Sequence, residues 1–383
     1  MATDSKKKKN TAKSTASKST VNGTTGKKTM SKKQRAKRKR RRMLIFVLEI
    51  FVIAIMLVIL WGVIQAENIG RVEIKEEDIV INEEVQESEV LKGYRNIALF
   101  GVDSTTGALT KNTRSDTIII ASVNLDTGDI RLCSVYRDTY LNRGNDSYNK
   151  CNGAYAMGGP EQAINMLNMN MDLNITDFVT IGFAGLKDVI DALGGVEINV
   201  SDDEIVHINS YQSCIAKDLK LGGFTEVTHS GLQTLNGLQA TAYCRVRYTR
   251  GDDFKRAERQ RTVLLAVMEK AKKASVSELT TIANNVFSEV YTSLDLQEII
   301  ELLGDIAKFN VVGNDGFPQA DLRTTGTIGT KGSCVVPMDL ESNVVWLHRF
   351  LFEDEDYSPS EAVKKYDAQI ESDTSKYVGM KGN

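Results

Sequence analysis

The sequence has few of the residues that common catalytic motifs require. It contains three histidines, His207, His229 and His348, and none stands beside a nucleophile motif. The motifs G-x-S-x-G, Walker A, H-E-x-x-H and G-x-G-x-x-G are all absent from the sequence. Histidine acid–base catalysis and nucleotide binding by a glycine-rich loop are therefore not expected.

Cysteine is also scarce, and its spacing argues against a metal centre. The odd number of cysteines and the lack of a C-x-x-C pair argue against a zinc site. Disulfides remain an alternative to free thiols, although Cys133 and Cys244 lie in apolar, strand-like segments that suit buried thiols. The five residues are Cys133, Cys151, Cys214, Cys244 and Cys334.

Acidic residues are nearly missing from the first 42 residues, which hold 17 Lys or Arg and only Asp4 as an acid. Because this segment also lacks aromatic residues, we expect a basic disordered tail. Residues 65–383 have the opposite balance, with 31 of the 48 Lys and Arg and 48 of the 50 acids. An acidic exterior excludes a broad nucleic-acid-binding face and leaves room only for a local anion site.

Charge is missing from residues 43–64 except for Glu49, and 16 of these 22 residues are Leu, Ile, Val or Phe. As a helix this run is about 33 Å long and spans a bilayer core of about 30 Å. The basic tail before it predicts a cytoplasmic N-terminus. The run exceeds a signal-peptide core and no A-x-A-like site follows, so we expect an uncleaved single-pass anchor in the cell membrane.

Beyond the anchor, the sequence predicts an acidic stalk (65–92), an extracytoplasmic domain (93–353) and a polar C-terminal tail (354–383). Within the domain, apolar β-branched runs alternate with helical patterns, which is typical of an α/β fold. We expect a central mixed β-sheet flanked by helices. Residues 201–232 are interpreted as an irregular excursion. The predicted strands are 96–102, 116–125, 130–137, 175–183, 196–200 and the extended segment 244–248; the predicted helices are 159–171, 184–193, 235–243, 253–273, 276–309 and 344–353.

Arginine and aspartate stand at the ends of the predicted strands. Asp103 directly follows the first strand, Arg114 and Asp116 open the second, and Arg137 and Asp138 end the third. In open α/β sheets, groups at strand ends line the functional crevice. Salt bridges among loops are the alternative for any single pair, but three such pairs favour a site.

A second group of charged residues lies between residues 245 and 261. Arg245 and Arg247 are two apart in a segment predicted to be extended, so both would point to one face. Asp253, Arg256 and Gln260 are spaced by three and four, so they share one face of a helix. Burying the alternating arginines without an anionic partner would be costly.

These residue types together indicate a magnesium–pyrophosphate site. The planar guanidinium group binds phosphate bidentately. Mg²⁺ usually takes one or two carboxylates in addition to phosphate oxygens, and Asp103 and Asp116 are the candidates. Phosphoryl transfer depends on positioning and charge neutralisation, so it needs no histidine.

Seven segments, in this order, resemble the LytR–CpsA–Psr family of cell-envelope proteins. The resemblance covers about residues 94–265, which we treat as the motif core, and it weakens at 201–232 and after 275. Arg250 and Gly251 stand where the family usually has an acidic residue. The segments are NIALFGVDS, RSDTIII, SVYRDTY, KCNGAYAMGGPEQAI, DALGGVEINV, LNGLQATAY and CRVRYTRGDDFKRAERQR.

The resemblance implies a role for each matching position. Metal binding falls to Asp103 and Asp116. It also implies a hydrophobic tunnel for a polyprenyl chain between the sheet and its helices, with the apolar residues of 162–185 as candidates to line it. The positions that face the pyrophosphate are Arg114, Arg137, Arg245, Arg247, Arg256 and Gln260, with Lys150 as a further candidate. The residues implied to be catalytic are Arg137, Arg245, Arg247, Asp138 and Asp253.

The function implied is a Mg²⁺-dependent phosphotransferase. It would move a glycopolymer, of teichoic acid or capsular polysaccharide type, from a polyprenyl-pyrophosphate carrier to a sugar hydroxyl of peptidoglycan, as in a Gram-positive envelope. Asp103, Asp138 and Asp253 are the alternatives for the general base. Two other functions are kept: a non-catalytic envelope regulator that binds polyprenyl phosphate, and a pyrophosphatase that releases the polymer to water.

Overall fold

A computed structural model describes residues 70–71, 74–103, 109–110, 112–249 and 251–378 of the chain. The basic tail and the spanning helix predicted for residues 1–64 lie outside the described residues. Among the residues that are described, no helix combines the length and the apolar character needed to cross a membrane.

The described part of the chain alternates strands with helices. The strands are β1 Gly70–Arg71, β2 Tyr94–Val102, β3 Ser115–Asn124, β4 Asp129–Val135, β5 Tyr140–Asn142, β6 Tyr148–Lys150, β7 Asp177–Ile181, β8 Val196–Val200, β9 Gly231–Leu235, β10 Val290–Thr292, β11 Asn310–Phe317, β12 Arg323–Thr327 and β13 Ser333–Pro337. The helices are α1 Glu83–Gln86, α2 Glu89–Lys92, α3 Gly153–Met171, α4 Phe183–Ala192, α5 Asp202–Asp218, α6 Gly237–Tyr243, α7 Asp252–Ala271, α8 Val276–Val286, α9 Leu296–Gly304, α10 Leu340–Phe352 and α11 Glu361–Val378.

Seven strands form the main sheet, in the order β1-β10-β7-β2-β3-β4-β11. The pairs β2–β3 and β3–β4 are antiparallel, whereas β2–β7 and β4–β11 are parallel. The predicted mixed α/β sheet is thus confirmed. Strand β3 is apolar on both faces, because Ile118 and Ile120 face one layer and Ile119 and Ala121 face the other.

Helices cover the two faces of this sheet. On one face, α3 and α10 pack against the main sheet. Helix α11 packs on α3 and α10 and on the short strands β5, β12 and β13. On the other face, Leu264, Leu265 and Met268 of α7 pack on β3 and β4. A separate apolar cluster joins β8, β9, α4, α5 and α6 beside α7. The candidate site described below lies at the end of the antiparallel pair β2–β3, where β2 ends and β3 begins.

Helix α3 shows how the sequence sets a local break. Gly158 and Gly159 have non-helical angles, and Gly159 has a φ of 74°, so the helix restarts at Pro160. Proline suits a first helical turn because its missing N–H has no partner there. A Cβ at Gly159 would lie 2.9 Å from the carbonyl oxygen of Thr110, so the close approach of that loop also requires glycine. The start predicted near residue 159 is confirmed.

The C-terminal segment differs from the prediction. Residues 354–383 were expected to be a polar tail, but α11 occupies Glu361–Val378. Val363 and Ile370, seven residues apart on one helix face, are 0% and 1% exposed within the main core. This spacing is a helical pattern, but the apolar residues are scattered among many polar ones and gave too weak a signal. The domain therefore extends well past residue 353.

Three other predictions are corrected. Val85 and Leu91 of the expected stalk lie in the main core, so part of 65–92 belongs to the domain. Much of the expected irregular segment 201–232 is α5. The segment 244–248, expected to be extended, is a turn after α6, because its backbone N–H groups bond to helix carbonyls rather than to a strand.

A buried polar group, which we call the Asp172 cluster, joins the two ends of the domain to α3. The Asp172 carboxylate is 0% exposed and accepts hydrogen bonds from the Asn82 amide, the Tyr357 hydroxyl and the Ser360 backbone N–H. The His348 ring stacks on Tyr357 with centroids 3.5 Å apart. Every oxygen of the carboxylate thus has a partner.

Candidate active site

The candidate site lies where β2 ends and β3 begins. These strands are antiparallel, and Val102 pairs with Ser115, so Asp103 and Asp116 meet at one edge of the sheet. Strand β4 runs antiparallel to β3 and ends at Val135, which brings Arg137 to the same edge. The strand-end residues converge because adjacent antiparallel strands alternate their termini at each edge.

The second group of residues reaches this edge from the turn after α6 and from the first turns of α7. Cys244 ends α6, and Arg245 and Arg247 follow in the turn. In α7, Arg256 and Gln260 lie one turn apart and face the same cavity. We call this set the arginine pocket; its charged and amide side chains are Asp103, Asp116, Arg137, Arg245, Arg247, Arg256 and Gln260, and the hydroxyl side chains Thr117, Tyr211 and Thr241 also line it.

Aspartates hold the arginines at defined distances. Arg137 Nη1 lies 2.8 Å from Asp116 Oδ1, and Arg245 Nη2 lies 3.5 Å from Asp103 Oδ2. The Asp253 carboxylate serves three guanidinium groups, with contacts of 3.0 Å to Arg256, 3.5 Å to Arg247 and 3.6 Å to Arg137. Four arginines thus share three carboxylates.

The arginines keep donor capacity that these aspartates do not use. The Nε atoms of Arg137, Arg247 and Arg256 are buried and form no hydrogen bond among the described residues; those of Arg137 and Arg247 have only the long ion-pair contacts with Asp253, at 3.6 and 3.5 Å. A buried donor without a partner costs about 1–3 kcal/mol, and more for a charged group. An anion with several oxygens, placed in the pocket, would supply the missing acceptors.

Burial and charge act differently on two of these arginines. Burial lowers the pKa of Arg256, and Arg137 and Arg247 lower it further, although Asp253 and Asp116 oppose them. Burial also acts to lower the pKa of Arg137, but the nearby Asp116 and Asp253 outweigh it and the pKa is raised. With four arginines against three carboxylates, the group has more positive than negative charge.

The whole pocket has a volume of about 480 Å³, and behind its charged mouth the lining is mostly apolar. It lies between the sheet and helices α4 and α7. The predicted lining from 162–185 is found only at its end, in β7 and the start of α4, whereas Ile164 and Leu167 of α3 are ordinary core. The apolar lining includes Leu99, Ile119, Val179, Ile181, Leu186, Val189, Val263 and Leu264.

Four predicted residues lie outside this lining: Arg114, Asp138, Lys150 and Asp253, the last of which contacts the arginines from behind the cavity wall. Lys150 Nζ is 3.3 Å from Asp138 Oδ1, so these two side chains form a pair of their own. Arg114 precedes β3 and adds positive charge near Arg143, whose pKa is lowered first by burial and then by Arg114. Neither Arg114 nor Lys150 lines the cavity.

The two aspartates predicted as metal ligands fit a cation that shares its ligands with substrate. Asp103 and Asp116 both line the pocket, with side chains 42% and 30% exposed. The described residues contain no group of three or more His, Cys, Asp or Glu side chains that could hold a metal alone. One or two carboxylates, together with phosphate oxygens and water, are the usual ligands of Mg²⁺.

Several residues around the arginine turn were not predicted. Arg259 is 2% exposed and forms a 2.6 Å ion pair with Glu204, also buried. The Arg245 guanidinium lies 4.5 Å from the Phe183 ring centroid and 5.3 Å from that of Tyr211. The capping-box pattern Ser201-x-x-Glu204 was the available signal for the start of α5. All five cysteines are free thiols, which decides between the alternatives left by the sequence.

Known proteins share this architecture. A teichoic acid transferase named TagU from Enterococcus faecalis, described as polyisoprenyl-teichoic acid–peptidoglycan teichoic acid transferase, is 30% identical over 213 residues, which is 55% of this chain and 65% of TagU. A structure of TagT bound to LIIa-WTA has a TM-score of 0.54 and 21% identity, covering 81% of this chain and 100% of that one.

A further structure, of the LytR-CPS2A-psr family protein YwtF (TagT), contains an octaprenyl pyrophosphate lipid. Its TM-score is 0.50 and its identity 20%, over 81% of this chain and 100% of that one. At these identities the two structures show the fold. The LytR_cpsA_psr family matches residues 65–337 of the sequence, most of the described domain. The chain therefore belongs to the LytR_cpsA_psr family.

Proposed function

We propose that this protein transfers a glycopolymer from a polyprenyl-pyrophosphate carrier to a hydroxyl group of peptidoglycan. The observation that carries the proposal is a pocket of about 480 Å³ with a mostly apolar interior and four arginines at its mouth. An amphiphile with a long hydrocarbon tail and a polyanionic head matches both halves. The TagU relative and the octaprenyl pyrophosphate in the TagT structure support this choice of donor.

In the proposed complex the tail fills the cavity and the pyrophosphate meets the arginine pocket. Arg137, Arg247 and Arg256 would direct their Nε–H groups, which form no hydrogen bond among the described residues, to its oxygens. Arg245 and Gln260 complete the lining of the mouth. These fixed donors lower the barrier because they are already oriented toward the charge that develops on the phosphates.

The transfer exchanges one phosphorus–oxygen bond for another. The acceptor hydroxyl oxygen attacks the phosphorus nearer the sugar, the bond to the bridging oxygen breaks, and polyprenyl phosphate leaves. A phosphodiester then joins polymer and acceptor. The hydroxyl proton passes to a carboxylate of the site, for which Asp103, Asp138 and Asp253 are the candidates. Asp253 is held by three arginines, Asp138 pairs with Lys150, and Asp103 is the most exposed of the three but is also a proposed cation ligand.

Asp103 and Asp116 are also the proposed ligands of Mg²⁺, which would neutralise charge on the pyrophosphate when bound. Removal of divalent cations with EDTA should lower transfer by at least about 10-fold, and added Mg²⁺ should restore it. Asp116→Asn should weaken the response to Mg²⁺. Transfer that is equally fast in EDTA would exclude the metal but leave the arginine site standing.

The proposed location follows from the donor. A polyprenyl tail resides in a membrane, so an enzyme using it benefits from the anchor predicted at residues 43–64. Replacing that segment with a cleaved secretion signal should leave transfer in detergent unchanged but lower polymer attachment in cells. Unchanged attachment in cells would show that the anchor is dispensable.

The test of the function uses the full chain in detergent with a polyprenyl-pyrophosphate-linked oligosaccharide, peptidoglycan fragments and Mg²⁺. Mass spectrometry should detect the phosphodiester product and an equal amount of polyprenyl phosphate. Repeating the reaction in ¹⁸O-water separates the two other functions: label in the released sugar phosphate would indicate a pyrophosphatase, and tight binding without turnover would indicate a regulator. Either result would overturn the proposed transfer.

A further inference from the structure

Helix α5 reaches the arginine turn at two points along one of its faces. Glu204 and Tyr211 are seven residues apart, which is two helical turns, so their side chains project in the same direction. Ile208 and Ile215 share this face and are 0% and 1% exposed in the cluster with β8 and α6. The helix is therefore fixed by its own core and presents two polar or aromatic groups to the turn.

The first contact runs through Arg259 of α7. Its Nε donates to Glu204 Oε1 at 2.6 Å, its Nη1 to the Val246 carbonyl at 3.1 Å and its Nη2 to Thr249 Oγ1 at 2.6 Å. The other carboxylate oxygen of Glu204 accepts from the Ser201 backbone N–H at 2.9 Å. One buried guanidinium thus joins the start of α5 to the Val246 backbone and the Thr249 side chain, on either side of Arg247.

The second contact is aromatic. The Arg245 guanidinium lies between the rings of Tyr211, from α5, and Phe183, from the start of α4. A cation over an aromatic ring gains about 0.5–2 kcal/mol. Since Arg245 has only one carboxylate contact among the described residues, to Asp103 at 3.5 Å, the two rings are its principal lateral support.

We propose that α5 is a positioning element of the arginine pocket, in which Glu204, through Arg259, and Tyr211 fix the turn that carries Arg245 and Arg247. This inference rests on the proposed function for the identity of the ligand. Neither Glu204 nor Arg259 lines the cavity, so both act through the turn rather than on the substrate. A flexible arginine would have to be ordered during binding, and a prepositioned one avoids that entropy cost.

The experiment compares two probes on the full chain in detergent: geranylgeranyl pyrophosphate and geranylgeraniol, which has the same tail and no phosphate. Tyr211→Leu should weaken binding of the pyrophosphate about 5-fold, the equivalent of about 1 kcal/mol. Because Tyr211 also lines the cavity, a direct contact with the tail would change the binding of both probes alike, and the ratio of the two affinities is therefore the readout. A general loss of structure would weaken both probes equally, so the difference between them reports the position of the arginines.

Two further variants and one control complete the design. Tyr211→Phe retains the ring and should recover most of the pyrophosphate affinity. Thr249→Val removes one contact of Arg259 without touching the Glu204 ion pair, which guards against the misfolding that Glu204→Gln could cause; about 3-fold weaker pyrophosphate binding is expected. Val206 lies on the outer face of α5, 63% exposed, and Val206→Ser should bind both probes like the wild type.

The outcomes separate the two proposals. If wild-type protein prefers the pyrophosphate and Tyr211→Leu and Thr249→Val keep that preference in full, the positioning role is overturned and the proposed function stands. The positioning role is equally overturned if these variants lose affinity for both probes to the same extent. If the wild type itself binds the alcohol as tightly as the pyrophosphate, the proposed donor is wrong.

Discussion

The arginine pocket and the Asp172 cluster are both polar groups enclosed in the domain, but they differ in how their charges are satisfied. In the Asp172 cluster, three donors saturate one carboxylate that is 0% exposed. In the arginine pocket, three guanidinium groups each retain a buried Nε that forms no hydrogen bond among the described residues. The comparison separates a polar group that stabilises the fold from one that has capacity left for a ligand.

The largest expected effect tests the ligand side of this comparison. Arg245→Ala should lower transfer about 100-fold, because one oriented donor to the developing charge is removed. The unfolding temperature should fall by only about 2–4 °C, since the side chain has one long ion pair and its contacts with the Phe183 and Tyr211 rings contribute about 1 kcal/mol. Transfer rates and thermal unfolding are measured on the same preparation. Undiminished transfer would refute the role of Arg245 in the pocket.

The second prediction tests whether the Asp172 cluster stabilises the fold. Asp172→Ala leaves the Tyr357 hydroxyl and the Ser360 N–H buried without an acceptor, so the free energy of unfolding should fall by about 4 kcal/mol. The rate of transfer per folded molecule should change little. Asp172→Asn is the matched control, because asparagine tolerates the φ of 51° at this position and keeps one acceptor oxygen. Equal stability of all three proteins would contradict the assignment.

His348 gives a smaller effect that depends on pH. Burial lowers its pKa to about 4 from an ordinary value of 6.5. The unfolded chain therefore binds a proton more readily between these values, so stability present above pH 6.5 is lost as the pH falls toward 4, by about 3 kcal/mol. In His348→Gln this part of the pH dependence should disappear. Urea unfolding from pH 4 to pH 7 measures the free energy of unfolding of both proteins. The same dependence on pH in the wild type and in His348→Gln would contradict the prediction.

The smallest effect concerns an exposed ion pair. Lys365 and Asp146 lie 3.6 Å apart, with side chains 68% and 67% exposed. Lys365→Ala should change the free energy of unfolding by less than about 0.5 kcal/mol and leave transfer unaltered. A loss of transfer here would extend the functional surface beyond the arginine pocket.

Much of the domain could be predicted from the sequence, because its strands and helix starts have local signals. The run 116–125 is apolar and β-branched, and α6 begins at a capping box between Asn236 and Gln239. The grouping of Asp103, Asp116 and Arg137 followed from strand ends alone. Their distances and partners could not follow, since they depend on the order of strands that are far apart in the sequence.

Other elements could not be predicted, for physical reasons. Strand β11 (Asn310–Phe317) has glycine, asparagine and aspartate within it, and pairing with β4 overrides that weak propensity. The buried state of Arg259 was missed because its partner, Glu204, is 55 positions away. The segment 244–248 is a turn and not a strand, but it still presents Arg245 and Arg247 to one cavity. The two arginines are therefore close together, as predicted, although the backbone conformation differs from the prediction.

The Asp172 cluster also has a mechanical consequence. Asn82 lies near the start of the described domain and Ser360 near its end, and both bond to the same carboxylate on α3. Tension applied through the residues before Gly70 would first separate β1 from β10, which pair over two residues, and would then load the bonds of Asn82. The strand ends that carry the arginine pocket lie farther along the chain, so a load from the N-terminal side should meet β1 and the bonds of Asn82 before it reaches them.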